Sequence, residues 1–136
     1  MTKKIYITKT DYQKLSHMLR EEIKNHLKNA DYIKALSLEL KKSEIVEPTK
    51  IPKQVATMNS KVRFKFLDSD QTLEYSIVFP EQADIANGKI SILSPIATAL
   101  IGYGTNDIIE WPTPSGLKKI KIEEIIYQPE AAGDYN

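Results

Sequence analysis

The chain has no cysteine. Disulfides and thiolate metal sites are therefore excluded, and the composition suits a reducing cytoplasm. Long apolar runs are missing too. The longest stretches fall far short of the ~20 residues that a membrane-spanning helix needs. Residues 1–7 contain lysine but no extended apolar segment of the kind a signal peptide carries. A cytoplasmic protein with no membrane partner is expected. Charge of one sign is also lacking, since 19 basic residues oppose 18 acidic ones. Nothing in that balance asks for a nucleic-acid coat protein, and no direct sequence-specific nucleic-acid partner is expected. Histidine is limited to His17 and His26. Nine residues apart on a helix, they point about 180° from each other and cannot share a metal within one arm. No Gly-rich phosphate loop of the Walker type is present. No metal or other cofactor is expected. What remains is 136 residues with 41% apolar and 27% charged side chains. That is the balance of a folded chain rather than a disordered one, and enough for a small domain with an appendage.

Two stretches follow different patterns. Residues 8–44 contain neither Gly nor Pro. Thr8 is a natural helix N-cap, and Asp11, three residues on, gives an Asp version of the capping box. Leu15, Leu19, Ile23 and Leu27 then recur every four residues, with Tyr12 and Met18 nearby, which makes one apolar stripe. Lys28-Asn29-Ala30-Asp31 reads as a turn, with Asp31 capping a second helix. In that helix Ile33, Leu36 and Leu40 step by three and four, as a heptad seam does. A short turn makes the two helices antiparallel neighbours. The first arm, at about 20 residues and ~1.5 Å per residue, reaches roughly 30 Å. Glu47-Pro48-Thr49-Lys50-Ile51-Pro52 reads as a linker, because proline biases the residue before it away from the helix.

The second stretch reads mostly as strands. Val62, Phe64 and Phe66 alternate with Arg63 and Lys65, the period of a half-buried strand. The cluster Asp68-Ser69-Asp70 then turns the chain into a second strand over residues 73–79, an antiparallel hairpin. Asn87-Gly88 marks a tight turn before a strand over 89–93. Pro95 opens a short helix through Ile101, and Gly102 ends it. Two final strands, 108–111 and 117–127, flank a turn over 112–116. The predicted fold is α+β. Residues 1–47 form an antiparallel helical hairpin, a short coiled coil. Residues 48–54 form a linker, and residues 55–136 a small antiparallel sheet on one short helix. Residues 128–136 read as a surface extension that either straps back on the domain or lies at an interface.

Several of these segments, in this order, resemble a known family. They are Met58-Asn59-Ser60, Ile90-Ser91-Ile92-Leu93-Ser94-Pro95-Ile96 with Ala99-Leu100-Ile101-Gly102, Asp107 before a strand, and Pro114 with Gly116. They resemble the C-terminal domain of Gre transcript-cleavage factors. Thr57 ahead of Met58, and the ending Tyr127-Gln128-Pro129-Glu130-Ala131-Ala132-Gly133-Asp134-Tyr135, are similar to the regulator of nucleoside diphosphate kinase (Rnk) branch of that family. The resemblance covers essentially the whole chain. It implies an N-terminal coiled coil and a C-terminal FKBP-like domain. It also implies a transcription regulator that binds RNA polymerase at the rim of the secondary channel, with Leu93, Ser94 and Pro95 at the contact. Leu93 stands where Gre proteins commonly carry a polar or acidic residue.

Gre factors place a pair of carboxylates at the hairpin tip, where they hold an ion and orient a water. This chain offers only Asp31 near the turn. Glu21, Glu22 and Glu39 lie about two helical turns away, too far to share an ion with it. The arm is also shorter than that of a Gre factor. Polymerase binding without stimulation of transcript cleavage is therefore expected, and no catalysis by the chain itself. Asp31 has a plainer reading as a helix cap. An FKBP-type peptidyl-prolyl isomerase is the alternative, with Trp111 on the floor of its pocket, but fold alone does not carry an activity. Ser94 has no histidine in its own region to activate it as a nucleophile. Lys118, Lys119 and Lys121, interleaved with Ile120 and Ile122, read as the solvated basic face of a strand.

Overall fold

The computed structural model describes residues 5–25, 30–113 and 116–133. The chain begins with a strand that its sequence does not announce, β1 (Tyr6–Thr8). It leads directly into α1 (Lys9–Asn25). Thr8 caps this helix as expected, its Oγ1 accepting the Asp11 N–H at 3.1 Å. The second helix, α2 (Ala30–Lys42), runs into β2 (Glu44–Val46). Strands β1 and β2 pair in parallel, Tyr6 opposite Glu44 and Thr8 opposite Val46. That short ladder ties the two ends of the helix pair together. Leu15 and Leu19 of α1, and Leu36 and Leu40 of α2, are buried, so the predicted stripes face inward. Asp31 lies one residue inside α2 rather than ahead of it, so it does not hold the capping position. The expected turn at Lys28-Asn29, together with His26 and Leu27, lies outside the described residues, as do the side chains of Ile23, Asp31 and Ile33.

Residues 48–54 are folded against the rest. A single 3₁₀ turn, Pro48–Lys50, precedes Ile51, which is buried. Beyond it lie β3 (Lys61–Phe66), β4 (Thr72–Val78), β5 (Lys89–Ser91), α3 (Pro95–Leu100), β6 (Ile108–Thr113) and β7 (Gly116–Tyr127). The five strands form one sheet in the order β5-β4-β3-β7-β6. Its β3–β4, β3–β7 and β6–β7 pairs are antiparallel. The β4–β5 pair is parallel, which corrects the expectation of a wholly antiparallel sheet. The reason is the connection. Residues 79–88 carry two 3₁₀ turns, Pro80–Gln82 and Ile85–Asn87, and cross over instead of reversing. Asn87-Gly88 does form a tight turn, but it closes Asp84 onto Lys89 rather than joining two strands. The turn predicted over 112–116 is shorter than expected, since Pro112 and Thr113 still pair with Leu117 and Gly116.

One sheet face is buried. Val62 and Phe64 of β3, Ile77 of β4, Ile109 of β6, and Ile120 and Ile122 of β7 pack with Ala97 and Leu100 of α3. The same cluster continues without a break into Ile5, Ile7, Leu15 and Leu36. The opposite face carries charges in register. Arg63 reaches Glu74 of β4 at 3.0 Å and Glu124 of β7 at 2.8 Å, its cross-strand partners on either side. Lys118 pairs with Asp68 at 2.8 Å, and Lys119 with Glu110 at 4.0 Å. Two of the three lysines of the basic run on β7 therefore stand beside carboxylates.

Candidate functional site

The first candidate is the turn from β5 into α3. Proline at the first helical position needs no N–H partner and supplies a helical φ in advance. Ser94, ahead of it, has extended backbone angles, and its Oγ accepts the Ala97 N–H at 3.4 Å. The Ser94 hydroxyl donates to the Ser91 carbonyl at 2.8 Å, and the Ser94 N–H donates to the same oxygen at 2.9 Å. The Ser91 hydroxyl oxygen accepts the Leu93 N–H at 3.0 Å, and Thr98 Oγ1 donates to the Ile92 carbonyl at 2.9 Å. Every hydroxyl in the segment is engaged in shaping the turn. The Ser94 hydroxyl proton is committed to a carbonyl, so its role is architectural rather than nucleophilic. Leu93 is half-buried against the core, and Pro95 is exposed. The turn is thus a rigid, pre-shaped knob with one apolar ring facing solvent.

Along α2, Asp31 lies nine residues before the buried Leu40, about 13 Å of helical rise. The indole of Trp111, the proposed floor of an isomerase pocket, lies outside the described side chains, although its backbone runs in β6. His17 is exposed on α1. Among the described residues no three His, Asp or Glu side chains are grouped to hold a metal. No helix among them is long and apolar enough to cross a membrane.

A second cluster escaped the sequence reading. It is built around the turn Thr57-Met58-Asn59-Ser60, where the helix pair meets the sheet. Asn59 adopts a left-handed backbone with φ 67°, a conformation asparagine tolerates. The Thr57 N–H donates to Ser60 Oγ at 2.9 Å, and the two hydroxyls lie 2.8 Å apart. Asp11 was expected to complete a capping box by reaching back along its own helix. Instead its Oδ2 accepts the Met58 N–H at 3.1 Å. The carboxyl is almost wholly buried, and burial pushes its pKa from the ordinary 3.8 up to about 6. That value already includes a smaller rise from the nearby Glu130 carboxylate and the opposing effects of the Met58 and Thr8 hydrogen bonds and Lys14.

Glu130 belongs to the segment read as an extension that either straps back on the domain or lies at an interface, and it straps back. Gln128 and Pro129 are buried. Gln128 Nε2 donates to the carbonyls of Pro52 and Val55, each at 2.8 Å. Thr57 Oγ1 donates to Glu130 Oε1 at 2.7 Å. The fold-back gives the Val55 carbonyl a donor and adds a second partner to the Pro52 carbonyl, which already accepts the Val55 N–H at 3.2 Å, and to the Thr57 hydroxyl, which already meets Ser60 Oγ. Both halves of this cluster were visible as segments in the sequence, but nothing local pairs residue 57 with residue 130.

Comparison with known proteins bears on both clusters. A family model described as transcription elongation factor, GreA/GreB, C-term matches residues 51–127, which include the 57–60 turn and the Ser94 cap. The chain is 33% identical over 132 residues to the regulator of nucleoside diphosphate kinase of Escherichia coli (strain K12), covering 96% of this chain and 95% of that protein. It is 40% identical over 94 residues to transcription elongation factor GreA of Clostridium botulinum (strain Eklund 17B / Type B), covering 68% of this chain and 59% of that one. Among solved structures, a transcription elongation factor GreA/GreB from Nitrosomonas europaea superposes with a TM-score of 0.73 at 36% identity, over 90% of this chain and 99% of that one. The mixed α+β fold, the matched C-terminal region and the near full-length similarity to the Rnk protein agree, and the chain belongs to the GreA/GreB transcription elongation factor family.

Proposed function

We propose that this protein is a cytoplasmic transcription regulator that binds RNA polymerase at the rim of the secondary channel and does not stimulate transcript cleavage. The observation that carries the reading is the near full-length similarity to the Rnk protein, spanning 96% of the chain and therefore including both the helix pair and the sheet. In this reading Leu93, Ser94 and Pro95 form the docking knob. Leu93 anchors it to the core, Ser94 shapes it, and the exposed Pro95 ring makes the contact. Residues 1–47 form an antiparallel hairpin that enters the channel as a short probe with Asp31 toward its tip. Residues 48–54 connect the probe to an FKBP-like domain over residues 55–136.

The absence of cleavage follows from carboxylate placement. Gre factors use a pair of carboxylates at the tip, close enough to share a second Mg²⁺ and orient a water. Asp31 stands alone at its level, since Glu21 and Glu39 lie about two helical turns away. No observation favours the prolyl isomerase alternative. The test is binding of the purified protein to core RNA polymerase in competition with a Gre factor. Saturable, competitive binding that weakens in Pro95→Ala and Ser94→Ala is expected. Unchanged affinity in both variants overturns the site, and no saturable binding overturns the function.

A further inference from the structure

The 57–60 turn is contacted from three sides by segments distant in sequence. From the helix pair, Asp11 Oδ2 takes the Met58 N–H across 47 residues of chain. From the sheet, the Ile77 carbonyl accepts the Asn59 N–H at 2.6 Å, and the Ile77 N–H donates to the Ser60 carbonyl at 3.0 Å. From the C-terminal side, Glu130 Oε1 takes the Thr57 hydroxyl across 73 residues. The segment that delivers Glu130 continues directly from the last strand. It closes into a compact turn, with the Ala132 N–H donating to the Gln128 carbonyl and the Gly133 N–H to the Glu130 carbonyl, each at 3.1 Å. Gln128, only 4% exposed, pins the start of that turn with both of its amide hydrogen bonds.

We propose that residues 128–133 act as a strap that latches the base of α1 to the sheet through the 57–60 turn, so that Glu130 and Asp11 are positioning residues that set the angle at which the helix pair leaves the sheet. Helix α1 has 17 residues. At 1.5 Å per residue it is a lever of about 25 Å, and a rotation of about 10° at its base moves the far end by about 4 Å. Small slack at the turn thus becomes a large displacement at the end of the helix pair. Beside the shared apolar core and the Tyr6–Gly102 backbone bond, which are non-directional or lie at β1, the side-chain bonds that fix the turn are few and directional: one at Asp11, one at Glu130 and two at Gln128. Their consequence for polymerase rests on the docking reading given above, while the strap itself is a property of the free protein.

The absence of cysteine makes the test direct. Spin labels on Glu21→Cys of α1 and Gln71→Cys of the β3–β4 loop, both exposed, report the helix-to-sheet distance in the full chain. The background without further changes and the Glu130→Gln variant, which keeps an acceptor for Thr57, should both give one narrow distance distribution. Glu130→Ala and Thr57→Val should each broaden it about twofold while the circular dichroism spectrum stays native. A distribution unchanged in both Glu130→Ala and Thr57→Val overturns the strap. Equal broadening by Gln and Ala at position 130 overturns it as well, because the acceptor would then be irrelevant. If the distances behave as expected but neither parent nor variants bind polymerase, the strap stands and the docking reading fails.

Discussion

The Asp11 carboxylate accepts a hydrogen bond from the Met58 N–H at 3.1 Å, joining the first turn of α1 to the turn that feeds β3. The pair lies inside the protein, with Asp11 6% exposed and Met58 1%. The Met58 N–H, the Thr8 hydroxyl and the nearby Lys14 are modest compensation for burying a charge. The carboxyl accordingly titrates at about 6 instead of the ordinary 3.8.

A stability profile follows. The folded state holds the Asp11 proton more tightly than the unfolded state does, so ionisation costs stability. The cost is absent below about pH 4, grows between about pH 4 and pH 6, and is constant above. It amounts to roughly 3 kcal/mol. Asp11→Asn keeps an oxygen for Met58 and removes the charge. Urea denaturation should show the variant equal to the parent near pH 4 and more stable by about 1–3 kcal/mol near pH 7.5. A variant less stable than the parent at the higher pH contradicts this account.

The proposed docking knob assigns shaping to Ser94 and contact to Pro95. Ser94→Ala removes the cap on Ala97 and should cost about 1 kcal/mol of stability. Pro95→Ala should change stability by less than about 1 kcal/mol, since alanine accepts the same backbone angles. Both should weaken polymerase binding. Thermal melts alongside the binding assay distinguish the two effects, and a Pro95→Ala variant that binds normally removes Pro95 from the contact.

Gln128→Ala tests whether the final segment is structural. It takes the only side-chain donor from the Val55 carbonyl, while the Pro52 carbonyl keeps the Val55 N–H, and should cost on the order of 2 kcal/mol. Gln128→Glu should be worse, because a carboxylate offers oxygens where two donors are required. Chemical denaturation of both variants checks the order, and stability equal to the parent in either would show that the segment adds nothing.

Gly102 combines a φ of 83° with a Cβ position 2.7 Å from the Ile5 Cβ. It also holds β1 in place, its carbonyl accepting the Tyr6 N–H at 3.2 Å. Gly102→Ala should cost on the order of 1–3 kcal/mol from the backbone alone, with the contact to Ile5 adding to it. Amide exchange should quicken at β1 before it does at β7. Exchange that is uniform across the two strands would count against a local effect.

The chain itself encodes most of its elements in local pattern. The four-residue spacing of Leu15 and Leu19, the alternation from Val62 to Phe66, and Ser94-Pro95 ahead of a short apolar run each name their structure. They do so because burial on one face and the capping of free N–H groups are local requirements. The family, too, was readable from the order of its motifs.

Four features were settled only in three dimensions. Strands β1 and β2, at three residues each, are too short to show a period, and they exist because the helix pair brings their ends together. The parallel β4–β5 pairing depends on how the 79–88 crossover packs, not on the alternation of either strand. Asp11 looked like a capping-box residue, because its spacing from Thr8 is right. A competing N–H at Met58, 47 residues away, took its carboxylate instead. The segment after Tyr127 looked like an extension, because it is small and polar. Its partners are carbonyls and a hydroxyl of the 52–57 loop, and acceptor sites exposed by one folded loop leave no mark on the distant sequence that will meet them.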